Sequence, residues 1–361
     1  MNVTRVFARL IAAWVLASLV GCAGQGAGTV LHYGVEDAPE GKRVVWPAPP
    51  EVPRYLYAGQ LIGDTNFRRE GEEARRTGAR IFRWIVGLDS PEAQRNVLQR
   101  PIAGVTDAQG RVYVTDMSRH AVYVFDEPGG RLLVWERAQG LANFVAPSGI
   151  TLGPDGQIWV ADAELGIVVR LDRDGEPVGS FGRGLLKRPT GLVRDPVRKL
   201  SYVVDTYAHD VKVFDDEGRL VLLIGRRGER PGEFNYPTHA AFARGELFVT
   251  DTLNNRVQVF TSDGEVLQRQ FGHSGLYLGN FVRPKGVAVD NEGHVYVIES
   301  YYDHLLVYGS RGEFLLPIGG TGHATGRFYL PAGVWTDSRN RVFIADMFNG
   351  RVVVFQFLGG G

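Results

Sequence analysis

Eight histidines and one cysteine are the residues of this 361-residue chain with the most distinctive chemistry. His120, His209 and His304 each follow a short apolar run, at similar places in three repeating segments. Zinc takes about three converging protein ligands and keeps an open position for catalysis, so these histidines form a metal site only if their turns converge. We interpret Ser118 near His120 as a coincidence within one loop rather than as a catalytic dyad. We therefore predict no catalytic residue, no metal ligand and no cofactor.

Cys22 is the only cysteine, which excludes an intramolecular disulfide. It follows a basic head and a mostly apolar run, Leu10 to Val20, that is too short to span a bilayer. The segment Leu19-Val20-Gly21-Cys22 resembles the lipobox of bacterial lipoproteins. This resemblance implies cleavage before Cys22 and acylation of its thiol, with palmitate among the acyl groups. An ordinary cleaved signal with a chance cysteine is the alternative.

Composition and charge narrow the possible partners. Without the first 21 residues, 38 basic residues stand against 40 acidic ones, which gives no electrostatic footprint for nucleic acid. The 47 glycines and a hydrophobic content of 44% are typical of a turn-rich all-β protein with a well-filled core.

A repeat of 42 to 48 residues is the strongest pattern in the chain. Each unit opens with a proline and has an acidic residue 14 to 16 positions later, closing its second apolar run. The prolines are Pro101, Pro147, Pro189, Pro237, Pro284 and Pro331, and the acids are Asp116, Asp162, Asp205, Asp251, Glu299 and Asp346. Alternating apolar runs and turn residues predict four short strands in each unit, with the acid bonding to backbone N–H groups of the following turn.

Six such units predict a closed β-propeller rather than an open solenoid. The last unit ends after its third strand. Residues 54–63 resemble the fourth strand of the fifth unit, Glu313 to Gly319, and would supply the strand that the last unit lacks. We therefore expect the N-terminal strand to complete the last blade, which also removes an exposed sheet edge.

The units resemble the NHL repeat across residues 101–355, with the closest copies at Asp251 to Arg256 and Asp346 to Arg351. Some NHL propellers, the peptide-amidating lyases, place zinc-binding histidines directly after the opening proline. None of the six residues in that position here is histidine, and only His239 lies one step further along. The absence of these histidines favours a non-catalytic binding propeller. The alternative is a metal-dependent lyase or a lactonase-type hydrolase that acts in the central channel.

Turns after second strands and crossings between blades share one face of a propeller, which we call the loop face. We predict that this face binds a partner. Its candidate residues are His120, Tyr207, His209, His239, Asn254, Tyr301, Tyr302, His304 and Phe348.

The predicted domains are a signal peptide (1–21), a Gly/Pro-rich tether (22–53) and the propeller (54–361), interrupted by an inserted loop (64–100). Phe82 and Trp84 in that loop suggest a lid or a docking patch. Ala23 after the cysteine favours the outer membrane, by the same lipoprotein resemblance. The expected partners are the membrane, through the lipid, and a protein or polysaccharide of the cell envelope.

Overall fold

A computed structural model describes residues 29–34, 43–69, 96–264 and 266–359. Its main feature is six antiparallel β-sheets, each built from one repeat of the sequence. Five of the sheets have four strands, and the sixth has five. The first strands of adjacent sheets pack against each other in a closed ring, because Pro101–Thr106 contacts both Pro147–Leu152 and Val334–Thr336. The predicted six-bladed β-propeller is confirmed.

The strand bounds of the blades, in chain order, are as follows. Blade 1 contains Pro101–Thr106, Val112–Asp116, Ala121–Asp126 and Arg131–Trp135; blade 2 contains Pro147–Leu152, Ile158–Asp162, Ile167–Leu171 and Pro177–Phe181; blade 3 contains Pro189–Asp195, Leu200–Asp205, Asp210–Asp215 and Leu220–Ile224. Blade 4 contains Pro237–Ala243, Glu246–Asp251, Arg256–Thr261 and Leu267–Phe271; blade 5 contains Pro284–Val289, Val295–Glu299, His304–Tyr308 and Phe314–Gly319; blade 6 contains Val334–Thr336, Arg341–Asp346 and Arg351–Phe357, with Tyr55–Leu61 and Val45–Trp46.

Continuous apolar runs suit the second strands because each blade is packed between two others. In blade 3, Tyr202 and Val204 face blade 4, whereas Val203 between them packs with Trp159 of blade 2. Successive side chains of a strand point to opposite faces of its sheet, so both faces must be apolar here. These second strands are almost completely buried, and Trp159 has no exposed surface.

The two ends of the chain close the ring together. Tyr55–Leu61 pairs antiparallel with Arg351–Phe357, as the sequence predicted. Tyr55 crosses to blade 5, where its hydroxyl lies 3.2 Å from that of Tyr296. Val45–Trp46 adds a fifth strand outside it, and the Trp46 ring packs edge-on against Phe355 at 5.2 Å. The sixth blade therefore holds both chain ends in one hydrogen-bonded sheet.

Two smaller pairings complete the described strands: Thr29–Leu31 with Phe67–Arg69, and Arg137–Gln139 with Ala142–Asn143. The described residues also form four short 3₁₀ turns, at Asp64–Asn66, Pro154–Gly156, Thr252–Asn254 and Met347–Asn349. In the described part of the chain, no helix has the length and apolar character needed to cross a bilayer.

A bulge after the opening proline shapes the channel. In blades 1 to 5, the register between first and second strands shifts immediately after that proline. Bulges re-aim side chains, and they are common beside functional sites. Here they lie at the loop-face end of the inner strands, where the channel opens. We call this end the channel mouth.

Candidate functional site

Six buried acidic residues form the bases of the loop-face turns. Asp116 accepts N–H bonds from Gln99 and Arg100 at 2.6 and 3.0 Å, and from Ser118 and Arg119 at 3.0 Å each. The first two precede the inner strand and the last two follow the second strand, so one carboxylate joins both segments. The other closing acids also accept backbone N–H bonds: Asp162, Asp205, Asp251, Glu299 and Asp346. The predicted hydrogen bonds to the following turn are confirmed for Asp116, Asp162 and Glu299. All six acids also accept a backbone N–H from the crossing before their blade.

Asn254 belongs to one of these bases. Its side-chain amide donates to the Asp251 carboxylate at 2.8 Å and to the Gly228 carbonyl at 2.9 Å. Arg256 Nε donates to the same carboxylate at 2.8 Å. Burial raises the pKa of Asp251, although the Asn254 and Arg256 bonds act in the opposite direction. The structure thus gives Asn254 a role in holding the turn of blade 4.

The three turn histidines have separate local environments. His120 is exposed, and its Nδ1 lies 2.6 Å from the Val145 carbonyl oxygen. His209 is buried and accepts the Tyr236 N–H at 3.2 Å, and burial lowers its pKa. Burial also lowers the pKa of His304, whose Nδ1 makes no hydrogen bond. Among the residues that the structure describes, no three His, Cys, Asp or Glu side chains are grouped to hold a metal ion.

Tyr207 belongs to an arginine–aromatic cluster between blades 3 and 4. Its ring packs edge-on against Tyr236 at 6.2 Å, and Tyr236 lies 4.5 Å from the His209 ring. The Arg188 guanidinium lies 5.1 Å from the centre of the Tyr207 ring. We call Arg188, Tyr207, His209 and Tyr236 the Arg188 cluster.

Phe348 belongs to a similar cluster between blades 6 and 1. Its ring lies 5.7 Å from that of Tyr329, and the Arg100 guanidinium lies 5.3 Å from its centre. We call Arg100, Tyr329 and Phe348 the Arg100 cluster. Blades 3 and 6 are three places apart in a ring of six, so the two clusters lie on opposite sides of the channel mouth.

Aromatic residues of blade 5 extend the same face. Tyr301 and Tyr302 pack edge-on at 4.9 Å, and Tyr301 is 54% exposed. In the crossing before them, Leu276, Tyr277 and Leu278 are 78%, 85% and 62% exposed. The adjoining Gly279 carbonyl accepts the hydroxyl of Tyr308, at the end of the third strand, so this run lies toward the outer rim of blade 5. Sequence reasoning missed this Leu-Tyr-Leu run, although its position between Gly275 and Gly279 marks it as a loop tip. It also missed Tyr236 and Tyr329, which precede opening prolines by one and two residues.

His239 differs from the expected loop position. It lies within the inner strand Pro237–Ala243 and lines the central channel, which encloses about 210 Å³. The reason is the bulge between Pro237 and Ala240, which leaves His239 unpaired with the second strand. The remaining candidates Cys22, Phe82 and Trp84 lie outside the described residues.

Comparisons with known proteins support the repeat type. No protein-family model matches the chain. Protein brain tumor of Drosophila melanogaster is 29% identical over 150 residues, which are 40% of this chain and 14% of that protein. NHL repeat-containing protein 2 of Gallus gallus is 29% identical over 160 residues, which are 35% of this chain and 22% of that protein. The chain thus spans less than a quarter of the length of either relative.

Solved structures support the fold. An auxiliary nutrient binding protein from Bacteroides thetaiotaomicron superposes with a TM-score of 0.58 at 11% identity, over 73% of this chain and 70% of that chain. A streptogramin B lyase superposes with a TM-score of 0.54 at 14% identity, over 72% of this chain and 94% of that chain. At these identities the likeness shows architecture alone. The chain is thus a six-bladed β-propeller, and its relatives include NHL-repeat proteins.

Proposed function

We propose that this propeller is a non-catalytic binding platform of the bacterial cell envelope, and that its loop face docks a protein or polysaccharide partner. The observation that carries the proposal is the pair of arginine–aromatic clusters on opposite sides of the channel mouth. Both clusters keep aromatic surface in solvent: Tyr207 is 54% and Phe348 is 49% exposed. Apolar surface grouped on one face of a soluble domain is typical of interaction sites.

The chemistry of the clusters favours a protein partner. Tyrosine and arginine are enriched among the residues that contribute most to protein interfaces. Arg188 and Arg100 are already placed over aromatic rings, so little side-chain freedom is lost when a partner covers them. The nutrient binding protein with the same fold is a precedent for a binding role.

The same proposal includes a lipid anchor at Cys22. Thr29–Leu31 pairs with Phe67–Arg69, and the Thr29 carbonyl approaches Gly130 in the hairpin between the third and fourth strands of blade 1. That hairpin lies on the face opposite the loop face. Residues 23–28 span at most roughly 20 Å when extended. A lipid at Cys22 would therefore hold the opposite face near the membrane and leave the loop face free for a partner.

Site-specific photo-crosslinking tests the platform. We would place p-benzoylphenylalanine at position 207, 301 or 348 of the full chain in host cells. The matched control is position 197, where Val197 is 89% exposed in a hairpin of the opposite face. We expect one shared partner from the three loop-face positions and none from position 197. The double variant Tyr207→Ser/Phe348→Ser should then bind that purified partner at least about tenfold more weakly.

The double variant should stay folded, with its free energy of unfolding lowered by about 1 to 3 kcal/mol, because each ring is half exposed but packs against one aromatic ring and one guanidinium. Equal crosslinking from position 197, or unchanged affinity of the double variant, would contradict the platform. One equivalent of metal in the purified chain would favour the alternative, a metal-dependent lyase or lactonase.

Cys22→Ser tests the anchor. We expect the parent chain to incorporate labelled palmitate and to sediment with outer membranes. The variant should lose the label and leave the membrane fraction, since its side chain offers no thiol to acylate. Retention of label on the variant would rule out Cys22 as the lipid site, while leaving the loop-face proposal in place.

A further inference from the structure

The channel mouth contains one large side chain that departs from the repeat. Two residues after the opening proline, blade 1 has Ala103 and blade 4 has His239, whereas blades 2, 3, 5 and 6 have glycine, at Gly149, Gly191, Gly286 and Gly333. These glycines let neighbouring inner strands approach closely. A Cβ on Gly191 would lie 3.0 Å from the Cα of His239, and one on Gly333 would lie 2.3 Å from the Ile102 carbonyl oxygen. An imidazole therefore stands in a ring otherwise made mostly of backbone.

His239 has no partner in the protein. Both of its ring nitrogens have almost no exposed surface, and neither makes a hydrogen bond. Burial, with a smaller contribution from Lys285, lowers the pKa of His239 to about 3. The ring is therefore neutral at physiological pH, with one N–H donor and one acceptor both unused. A buried polar group left without a partner is rare in folded proteins, and an absent ligand is one explanation.

Lys285 brings positive charge to the same mouth. Lys285 lies in the neighbouring bulge of blade 5, between Pro284 and Gly286. No carboxylate of the described residues forms an ion pair with it, and burial together with Arg283 and Arg100 lowers its pKa. The nearby closing acid Glu299 is already engaged by the N–H groups of Val282, Arg283 and Tyr301.

Below the mouth, the channel wall is about equally polar and apolar. Inner strands from all six blades line about 210 Å³, with residues that include Val105, Ile150, Leu192, Val287, Val334 and Trp335. A ligand that enters from the loop face thus meets positive charge first, then an imidazole, then a wall of backbone and apolar groups. Small-molecule sites combine apolar surface with a few placed polar groups.

We propose that the central channel binds a small monocarboxylate with a hydrocarbon body, whose carboxylate pairs with Lys285 and accepts a hydrogen bond from His239. The aliphatic or aromatic body lies against the apolar part of the channel wall. This site is independent of the proposed docking function, because a partner can cover the loop face whether or not the channel is filled.

Calorimetric titration of the full chain at low ionic strength tests the site. The probes are hexanoate and phenylacetate, with acetate lacking the body and hexanol lacking the charge. We expect hexanoate and phenylacetate to bind with one-to-one stoichiometry, and acetate and hexanol at least about tenfold more weakly. In a titration followed by NMR, bound hexanoate should shift the ring resonances of His239.

Two variants and one control assign the contacts. Lys285→Met should weaken hexanoate binding at least about tenfold and leave hexanol binding unchanged, because it removes the charge but keeps the length. His239→Gly restores the residue found in four other blades, so it should keep the fold while weakening hexanoate. Lys187→Met, at an exposed lysine on the same face, should change nothing.

Several results would overturn the proposal. These are no binding of hexanoate or phenylacetate at millimolar concentration, hexanol binding as tightly as hexanoate, or full hexanoate affinity in a folded Lys285→Met variant. Each of these results is independent of the crosslinking result, so the channel site and the docking face are tested separately.

Discussion

The bases and the tips of the loop-face turns follow opposite rules. Every base has a buried acidic residue, which is aspartate in five blades and Glu299 in blade 5. The tips differ: blade 3 presents Tyr207, blade 5 presents Tyr301 and blade 6 presents Phe348. A residue present in all six blades meets a need that all blades share, namely satisfying the backbone N–H groups of the crossing that leads into each blade. A residue present in one blade has no such duty and is free to bind a partner.

The channel mouth shows the same contrast between a residue that recurs in most blades and one that occurs in a single blade. Glycine recurs because close backbone contact between inner strands excludes a side chain there. His239 occurs once, leaves two ring nitrogens unpaired, and stands beside an unpaired lysine. In a repeat protein, the position where one copy departs from the others is therefore a useful place to look for function.

The largest expected effect concerns the buried acidic residues at the bases of the loop-face turns. Asp251→Asn should destabilise the propeller by about 3 to 5 kcal/mol, because it leaves the buried Arg256 guanidinium without its anion. Asp162→Asn should cost only about 1 to 2 kcal/mol, since Asp162 accepts backbone N–H bonds and has no buried cation beside it. Chemical denaturation of both variants measures the difference.

Asp174→Asn, in an exposed hairpin of blade 2, is the matched control and should leave the denaturation midpoint unchanged. If Asp251→Asn and Asp162→Asn shift that midpoint equally, the Arg256 pair adds nothing, and the bases of blades 2 and 4 are equivalent.

A smaller effect distinguishes a histidine of the loop face from one of the opposite face. Asp290 accepts a hydrogen bond from His294 at 2.9 Å and raises the pKa of that imidazole, so its stabilising contribution is complete below about pH 6.5 and declines as the pH rises through the folded-state pKa. Burial lowers the pKa of His209, so its contribution is present above about pH 6.5 and declines as the pH falls.

Melting temperatures at about pH 5.5 and pH 8 measure both signs. The melting temperature of the parent chain should exceed that of His294→Gln by more at the lower pH. It should exceed that of His209→Gln by more at the higher pH. For His294→Gln, the loss in free energy of unfolding should stay below about 1 kcal/mol, since the His294–Asp290 pair is partly exposed. Identical pH profiles for the two variants would contradict the assignment of opposite shifts.

The sequence alone determined the architecture because the repeat carries it in local signals. The spaced prolines, apolar strands and closing acids of one blade recur six times in the sequence. The last unit lacks a fourth strand, and residues 54–63 at the other end of the chain supply it. Among the site residues, it placed Tyr207, Tyr301 and Phe348 on the loop face, because a turn tip follows directly from the strand before it.

Only the tertiary structure decided which of these residues come together. The Arg188 and Arg100 clusters each join turns and crossings from neighbouring blades, and no pattern within one repeat reports contacts across a blade boundary. The structure also moved His239 from a loop to the channel and placed Lys285 beside it, because a one-residue bulge redirects side chains without leaving a mark in apolar periodicity. Local sequence thus specified the blades, whereas ring closure and the bulges specified the site.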